Sequence, residues 1–316
     1  MSTVSRLSEL LVGALGPGIS KLLKDEEISE IRLNSDGSVW GNRLGHGKFH
    51  SDIRISPENA RRAIYAVAYG VGEICNEDKP AISAELPDTG ERFQGLLPPL
   101  SQSPVFVIRK KAVRIFSLND LELQGIVSIL ERELLEEVVL KRKNILIVGG
   151  TDSGKTTFAN ALLKVVSSTT DRIVVLEDTQ ELQCQAQDVE YLHTKDGVAS
   201  LRDLIRYTMR MSPDRIVIGE VRGSEALDLL KAWNTGHPGG VSTIHANSAE
   251  RGLLRIEQLV QEAGVVPSRE MIAEAVNIIV YMEKSGTKRI VKNIMEIIGV
   301  KNGEYQLAQL MKGSLK

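Results

Sequence analysis

The chain has 316 residues, 42% of them hydrophobic and 25% charged, with a formal net charge of -2. At about 100 to 200 residues per domain this suggests two domains, and it excludes a disordered chain, a collagen-like repeat and a small disulfide scaffold. Near-neutrality and an aromatic content of 4% both argue against direct nucleic-acid binding, which needs clustered Lys and Arg or a base-stacking platform.

Cys75 and Cys184 lie far apart and outside any C-x-x-C pair, so neither a zinc ribbon nor an internal disulfide framework is expected, and a reducing cytoplasm is. No apolar run approaches the roughly 18 residues that cross a bilayer. Leu10 to Leu15 is too short for a signal peptide and has no small-residue cleavage site after it. The expected location is the cytoplasm, with peripheral attachment to a membrane machine left open.

In the first third of the chain, alternation at Glu30 to Asn34 and again from Ser38, around Ser35-Asp36-Gly37, predicts a hairpin. Ser56-Pro57-Glu58 is a helix start, a capping oxygen followed by proline, and the helix is expected to run to about Glu73. Strands are predicted at Ala81 to Leu86, Glu91 to Leu97 and Pro104 to Arg109, split by Pro87-Asp88-Thr89-Gly90 and Pro98-Pro99. After Lys110-Lys111 the pattern changes. Ile126, Ile129, Leu130, Leu134 and Val138 recur at helical spacing, which predicts a helix from about Asn119 to Lys141. Beyond it, apolar runs alternate with helical segments, the signature of βαβ units and a mainly parallel sheet. The expected division is 1–118 for a mixed α/β domain with its linker and 119–316 for an α/β domain.

Asn144 to Val148 is a buried-strand run followed at once by Gly149-Gly150-Thr151-Asp152-Ser153-Gly154-Lys155-Thr156-Thr157 and then by an apolar helix over Phe158 to Val165. This is G-x-x-x-x-G-K-[ST] in the setting it requires, and a chance match with both flanks correct is improbable. Glycines let successive N–H groups curl around phosphate oxygens, and the following helix N-terminus adds positive potential. Lys155 is then expected on the β and γ phosphates of ATP, with the Thr156 hydroxyl on Mg2+. Asp152 is out of place in an anion-binding loop. Unless its side chain turns outward it weakens phosphate binding, which predicts tighter binding in Asp152→Gly.

Three further strands, Arg172 to Leu176, Arg215 to Gly219 and Val241 to Ile244, end in Glu177-Asp178-Thr179-Gln180-Glu181, Glu220-Val221-Arg222 and His245-Ala246-Asn247. Ligands of parallel sheets bind beyond the carboxyl ends of strands, so these clusters are expected to converge on the phosphate loop. Water attacking a γ-phosphate needs a carboxylate to orient it and accept its proton, and Mg2+ needs an anionic or water-mediated partner opposite Thr156. Glu220 and Glu177 are the candidates for the first role, left open between them, and Asp178 with Glu220 for the second. His237 and His245 fit a γ-phosphate sensor better than a metal site, since their spacing is not that of a helical H-x-x-x-H and no cysteine or carboxylate lies close in sequence. A lone acidic residue at a strand end is more often a solvated loop residue, so each of these readings depends on the phosphate loop.

Taken together and in this order, Gly149 to Thr157, Leu176 to Glu181, Met211 to Gly223 and Asn234 to Ser248 resemble the Walker A loop, Asp box, Walker B and His box of the type II/IV secretion ATPase superfamily. Asp152 departs from that pattern, in which glycine is usual. The resemblance implies a RecA-like P-loop ATPase domain behind a smaller N-terminal α/β domain, assembled as a ring of six. It also implies phosphate-sensing arginines from the N-terminal half, a role that falls on Arg92 and Arg109 through Gly90 to Gln94 and Val107 to Lys110.

Two cysteines exclude the tetracysteine zinc module of the type II branch, and the Ala-Ile-Arg-type segment of pilus-retraction ATPases is missing. The tail, Ile278 to Met282 and Ile294 to Ile298, resembles the type IV secretion branch, and within it the TrbB-type conjugal transfer ATPases. The implied function is a hexameric, Mg2+-dependent ATPase that powers a secretion or conjugation apparatus through its inner-membrane components. The alternatives are a nucleic-acid or pilus motor on the same core and a small-molecule kinase, which would work without an ordered oligomer.

Overall fold

A computed structural model describes residues 3–43, 46–86, 90–110, 115–195, 197–286 and 288–312, with side chains for all of these except 3–12 and 312. The chain forms two compact units, Met1–Val113 and Arg114–Lys316.

The first unit runs α1 (Thr3–Lys24), β1 (Ile28–Leu33), β2 (Ser38–Arg43), β3 (Gly47–Arg54), α2 (Pro57–Gly70), β4 (Ala81–Glu85), β5 (Arg92–Leu96) and β6 (Val105–Arg109). Its strands form one antiparallel sheet in the order β3-β2-β1-β6-β5-β4. The β1–β2 turn is closed by Asp36, whose Oδ1 accepts from the Ser38 amide at 2.9 Å and leaves Gly37 at φ 79. Ser56 caps α2 by accepting from Asn59 N at 3.3 Å, and Ala60, Ala63, Ile64, Val67 and Ala68 bury one face of that helix. It ends at Gly70, three residues before the expected end. The turn expected at Pro87-Asp88-Thr89 lies outside the described residues, as does Lys111.

α1 is not evident from sequence, because Gly13, Gly16 and Pro17 all argue against a helix. Gly16, at φ 77 and ψ 167, breaks it into two helical pieces. Leu15, before the break, and Ile19, after it, are both buried in the first unit's core.

The second unit opens with α3 (Leu118–Leu123) and α4 (Ile129–Leu140). The single helix predicted over 119–141 is therefore two. Gly125 at φ 68 ends the first, and Ser128 starts the second through a reciprocal capping box with Glu131. There follow β7 (Ile145–Gly149), α5 (Lys155–Val166), β8 (Ile173–Glu177), β9 (Val189–His193), α6 (Leu201–Thr208), β10 (Arg215–Ile218), α7 (Glu225–Asn234), β11 (Val241–Ile244), α8 (Ala249–Glu262), α9 (Arg269–Ala275), β12 (Ile278–Ser285), β13 (Lys288–Lys301) and β14 (Glu304–Lys312).

These strands form an eight-stranded sheet in the order β14-β13-β12-β7-β11-β10-β8-β9. The six from β12 to β9 run parallel, and β13 and β14 add an antiparallel edge. Both faces of the sheet are covered. Leu146, Val148, Val174, Leu176, Ile216 and Ile218 pack into one core, and Ile145, Ile147, Ile173, Val175 and Val217 into the other. This is why the strands read as continuous apolar runs rather than alternating ones. The result is the α/β, RecA-like fold that the motifs imply.

Asn144 ties the amino ends of three central strands together. Its Oδ1 accepts from Gly239 N at 2.7 Å and Gly240 N at 2.9 Å, and its Nδ2 donates to Ala275 O at 2.7 Å. Because β7, β11, β10 and β8 are parallel neighbours, their carboxyl ends are adjacent at the opposite end of the sheet.

Candidate active site

The phosphate loop joins β7 to α5. Gly149 is enclosed, since a Cβ there would sit 2.6 Å from Met282 O, whereas Gly150 faces open space. Gly154 occupies the N-cap of α5 at φ 93 with no side-chain cap, so the first-turn amides of that helix are not covered by a side chain of their own cap. Ser153 Oγ is buried without a hydrogen-bond partner. An orphaned hydroxyl beside an uncapped helix N-terminus fits a bound phosphate group, which supplies acceptors to both.

Lys155 is buried and donates to Gly149 O and Gly150 O, both at 2.9 Å. Its Nζ also lies 3.4 Å from His245 Nδ1. His245 Nε2 is 2.9 Å from Glu220 Oε1, and Glu220 Oε2 accepts from Arg222 at 2.7 Å. Arg222 reaches Asp178 at 3.6 Å, and Asp178 accepts from Thr194 Oγ1 at 3.0 Å. The structure thus links Lys155, His245, Glu220, Arg222 and Asp178 in one chain of contacts across the ends of four adjacent strands. Burial and, after it, the Lys155 charge hold the His245 pKa below its ordinary 6.5, against the opposing pull of Glu220. The imidazole is neutral at pH 7.

Glu177 and Glu220 are placed differently. Glu177 is buried, and its Oε1 accepts from the amides of Glu181 at 3.1 Å and Leu182 at 3.0 Å. It shapes the loop after β8, while Glu220 faces the histidine and is more open. Thr156 Oγ1 donates to Glu181 Oε2 at 3.3 Å, while Asp178 and Glu220, the carboxylates expected on Mg2+ with Thr156, face Arg222. Glu181 was quoted in the sequence motif but given no role there. Its proximity to Thr156 depends on the fold of the 178–181 segment, which has no periodic signal. A hydroxyl and a carboxylate side by side are the hard oxygen donors that Mg2+ takes.

His237 does not join the site. Its Nδ1 lies 2.8 Å from Pro213 O, and both residues precede their strands, at the sheet edge away from the phosphate loop. Seven residues separate it from His245, most of them the strand β11 that carries the chain from one edge to the other. Arg92 and Arg109 belong to the first unit, where they are directly opposed partners in the β5·β6 ladder.

Asp152 has a left-handed backbone, φ 60. Its carboxylate pairs with Lys284 and accepts from Arg289 at 2.6 Å, and its carbonyl accepts from Arg289 Nε at 3.1 Å. Burial opposes ionisation here, but the two cations outweigh it and hold the pKa below 3.8. Two positive side chains therefore offset the charge expected to repel phosphates.

Residues 81–294 match the family model described as type II/IV secretion system protein. A conjugal transfer protein TrbB of Rhizobium radiobacter is 44% identical over 303 residues, covering 95% of this chain and 93% of that one. The type IV secretion system protein VirB11 of Bartonella henselae is 32% identical, covering 78% of this chain and 80% of its own. Among solved structures, the Legionella pneumophila ATPase DotB superposes with a TM-score of 0.63 at 16% identity, over 87% of this chain and 79% of that one. Among the described residues no helix is long and apolar enough to cross a membrane.

Proposed function

We propose, from the premise that this chain belongs to the type II/IV secretion system protein family, that it is the ATPase of a type IV secretion or conjugal transfer apparatus. The observation that carries the reading is the contact chain from Lys155 through His245 to Glu220, beside a phosphate loop with an uncapped helix and an orphaned serine hydroxyl. Charge balance and few aromatics leave direct nucleic-acid handling without support, whatever the apparatus transports. The family relation supports a homo-oligomeric ring, with six subunits as the expected number, working on inner-membrane components of its machine.

In this reading the loop amides and Lys155 hold the phosphates, and Lys155 exchanges its loop carbonyls for phosphate oxygens. Thr156 and Glu181 are the residues that would hold Mg2+, which when bound neutralises charge on the β and γ phosphates. Glu220 orients the attacking water and accepts its proton, and Arg222 keeps that carboxylate in place. His245, neutral and bridging Lys155 and Glu220, reports the state of the γ-phosphate to the end of β11. Glu177 supports the 181–182 loop. Arg92 and Arg109 are the residues of the N-terminal unit on which the family's phosphate-sensing arginine role falls.

Catalysis of this kind is positioning plus electrostatic stabilisation, so removing the lysine should remove nearly all of it. Purified Lys155→Ala protein is expected to lose both nucleotide affinity and phosphate release. Near-parental hydrolysis in that variant would overturn the site. Light scattering of the nucleotide-bound protein tests the ring, which a strict monomer would contradict.

A further inference from the structure

Lys284 and Arg289 reach the phosphate loop from a hairpin to which the mechanism above gives no part. They are directly paired positions near the tip of the β12–β13 hairpin, and their common partner is Asp152. Arg289 grips that residue twice, by the carboxylate at 2.6 Å and by the main-chain carbonyl at 3.1 Å, while Lys284 takes the other carboxylate oxygen. The arginine side chain lies against the loop itself, its Cδ 3.0 Å from where a Cβ on Gly154 would be.

The grip falls on the loop's left-handed non-glycine residue. Ser153 N donates to Gly150 O at 3.4 Å, closing a four-residue turn with Asp152 in its third position. At φ 60 that position suits glycine best, and aspartate, which tolerates it at some cost, gains from surroundings that hold it there. A trans peptide is planar, with its carbonyl and the following N–H pointing opposite ways. Drawing the Asp152 carbonyl toward Arg289 therefore turns the Ser153 N–H away from the hairpin. Relaxation of residue 152 would rotate this peptide and misalign the amides that precede Lys155.

We propose that Arg289, assisted by Lys284, is a positioning residue for nucleotide binding: it holds Asp152 in the left-handed turn that Ser153 N closes on Gly150 O, and so fixes the direction in which the loop delivers the uncapped amides at the start of α5 to the phosphates. The inference rests on the nucleotide-binding reading of the loop. Arg289 acts through Asp152 and not as a phosphate ligand, because both its Nε and one terminal nitrogen are committed to that residue. The clasp also accounts for an aspartate at a position that favours glycine: the hairpin supplies the restraint that glycine would make unnecessary.

The test is calorimetric titration of the full chain with ADP, paired with amide hydrogen exchange over the segment 149–157. Arg289→Ala should weaken ADP about tenfold, the scale of one lost charge-assisted hydrogen bond, and speed exchange at Ser153 and Gly154. Arg289→Lys should recover part of the affinity. In the Asp152→Gly background, where left-handed backbone costs little, the same Arg289→Ala change should cost less than about twofold.

An Arg289→Ala protein that binds ADP like the parent overturns the proposal. So does an equal loss in both backgrounds, which would make Arg289 a direct phosphate cation. If Arg289→Ala fails to fold, Lys284→Ala makes the same comparison with a milder change. Undiminished ADP binding by Lys155→Ala would instead defeat the nucleotide-binding reading, so the two failures are distinguishable.

Discussion

Nε2 of His245 and Oε1 of Glu220 are 2.9 Å apart, joining the ends of two neighbouring parallel strands. Nδ1 of the same ring faces Lys155 Nζ at 3.4 Å. An ammonium group has only protons to give, so Nδ1 is the acceptor and Nε2 carries the hydrogen that Glu220 receives. The neutral tautomer is therefore set by two partners of opposite charge, one on each side of the ring.

That arrangement has a pH signature. With the His245 pKa held below 6.5 by burial first and Lys155 second, the folded state takes up a proton less readily than the unfolded one. The stability linked to this ring is present above the unfolded value and is lost as pH falls from 6.5 toward the folded value. Melting temperatures between about pH 8 and pH 5.5 should fall less steeply for His245→Gln than for the parent. Parallel curves for the two proteins would mean that the ring contributes nothing to the acid limb.

Glu220→Gln keeps the shape and one acceptor oxygen, for either His245 or Arg222, but removes the basicity. Nucleotide affinity should stay within about threefold of the parent while phosphate release drops by about a hundredfold or more, the usual contribution of a positioned base. The converse pattern, weak binding with a normal maximal rate, would move Glu220 from the chemical step to substrate binding.

Much of this site is legible in the sequence because parallel α/β sheets gather strand ends by construction. A loop between a buried strand and a helix, followed by three strands with polar ends, leaves little freedom for where Lys155, Glu220 and His245 lie. What is hidden depends on partners distant in sequence. Glu181 reaches Thr156 only through the conformation of the loop after β8, and Asp152 finds its cations 132 and 137 residues further along. His237 reads like a site residue because it is close to His245 in sequence, yet a strand carries the two to opposite edges. The split between α3 and α4 was signalled by Gly125 and Ser128, but a continuous helical period over the same stretch masked it. α1 was hidden for the opposite reason: its buried stripe is interrupted by glycine and proline.

The structure separates the two glutamates, and stability measurements can check the separation. Gly219 lies so close to Glu177 that a Cβ would meet its Cγ and Oε1 at 2.9 Å. Gly219→Ala should cost about 1 to 3 kcal/mol through overpacking. Glu177→Ala should cost about the same by leaving the Glu181 and Leu182 amides without their acceptor, while Glu177→Gln keeps that acceptor and should lose little. Urea unfolding of the three variants tests this. Equal destabilisation by Glu177→Gln and Glu177→Ala would show that the charge, not the hydrogen-bond geometry, supports the loop.

The amino end of the sheet, remote from the phosphates, depends on a buried ion pair. Arg215 is 1% exposed. It donates to Asp171 at 2.6 Å, to Val139 O at 2.9 Å and to Gly239 O at 3.2 Å. Arg142 pairs with the other Asp171 oxygen. Burial resists ionisation of Asp171, but these two arginines prevail and hold its pKa below 3.8. Its stabilisation is thus complete above the unfolded value and is lost as pH falls through the folded one. Asp171→Ala leaves a buried guanidinium without its counter-ion and should cost about 3 to 5 kcal/mol. Arg215→Met should cost less, because Asp171 keeps Arg142 as a counter-ion and no buried charge is left unpaired. Denaturant unfolding of both at neutral pH decides the point: a larger loss in Arg215→Met would mean that the carbonyl contacts to Val139 and Gly239, rather than the ion pair, hold this end together.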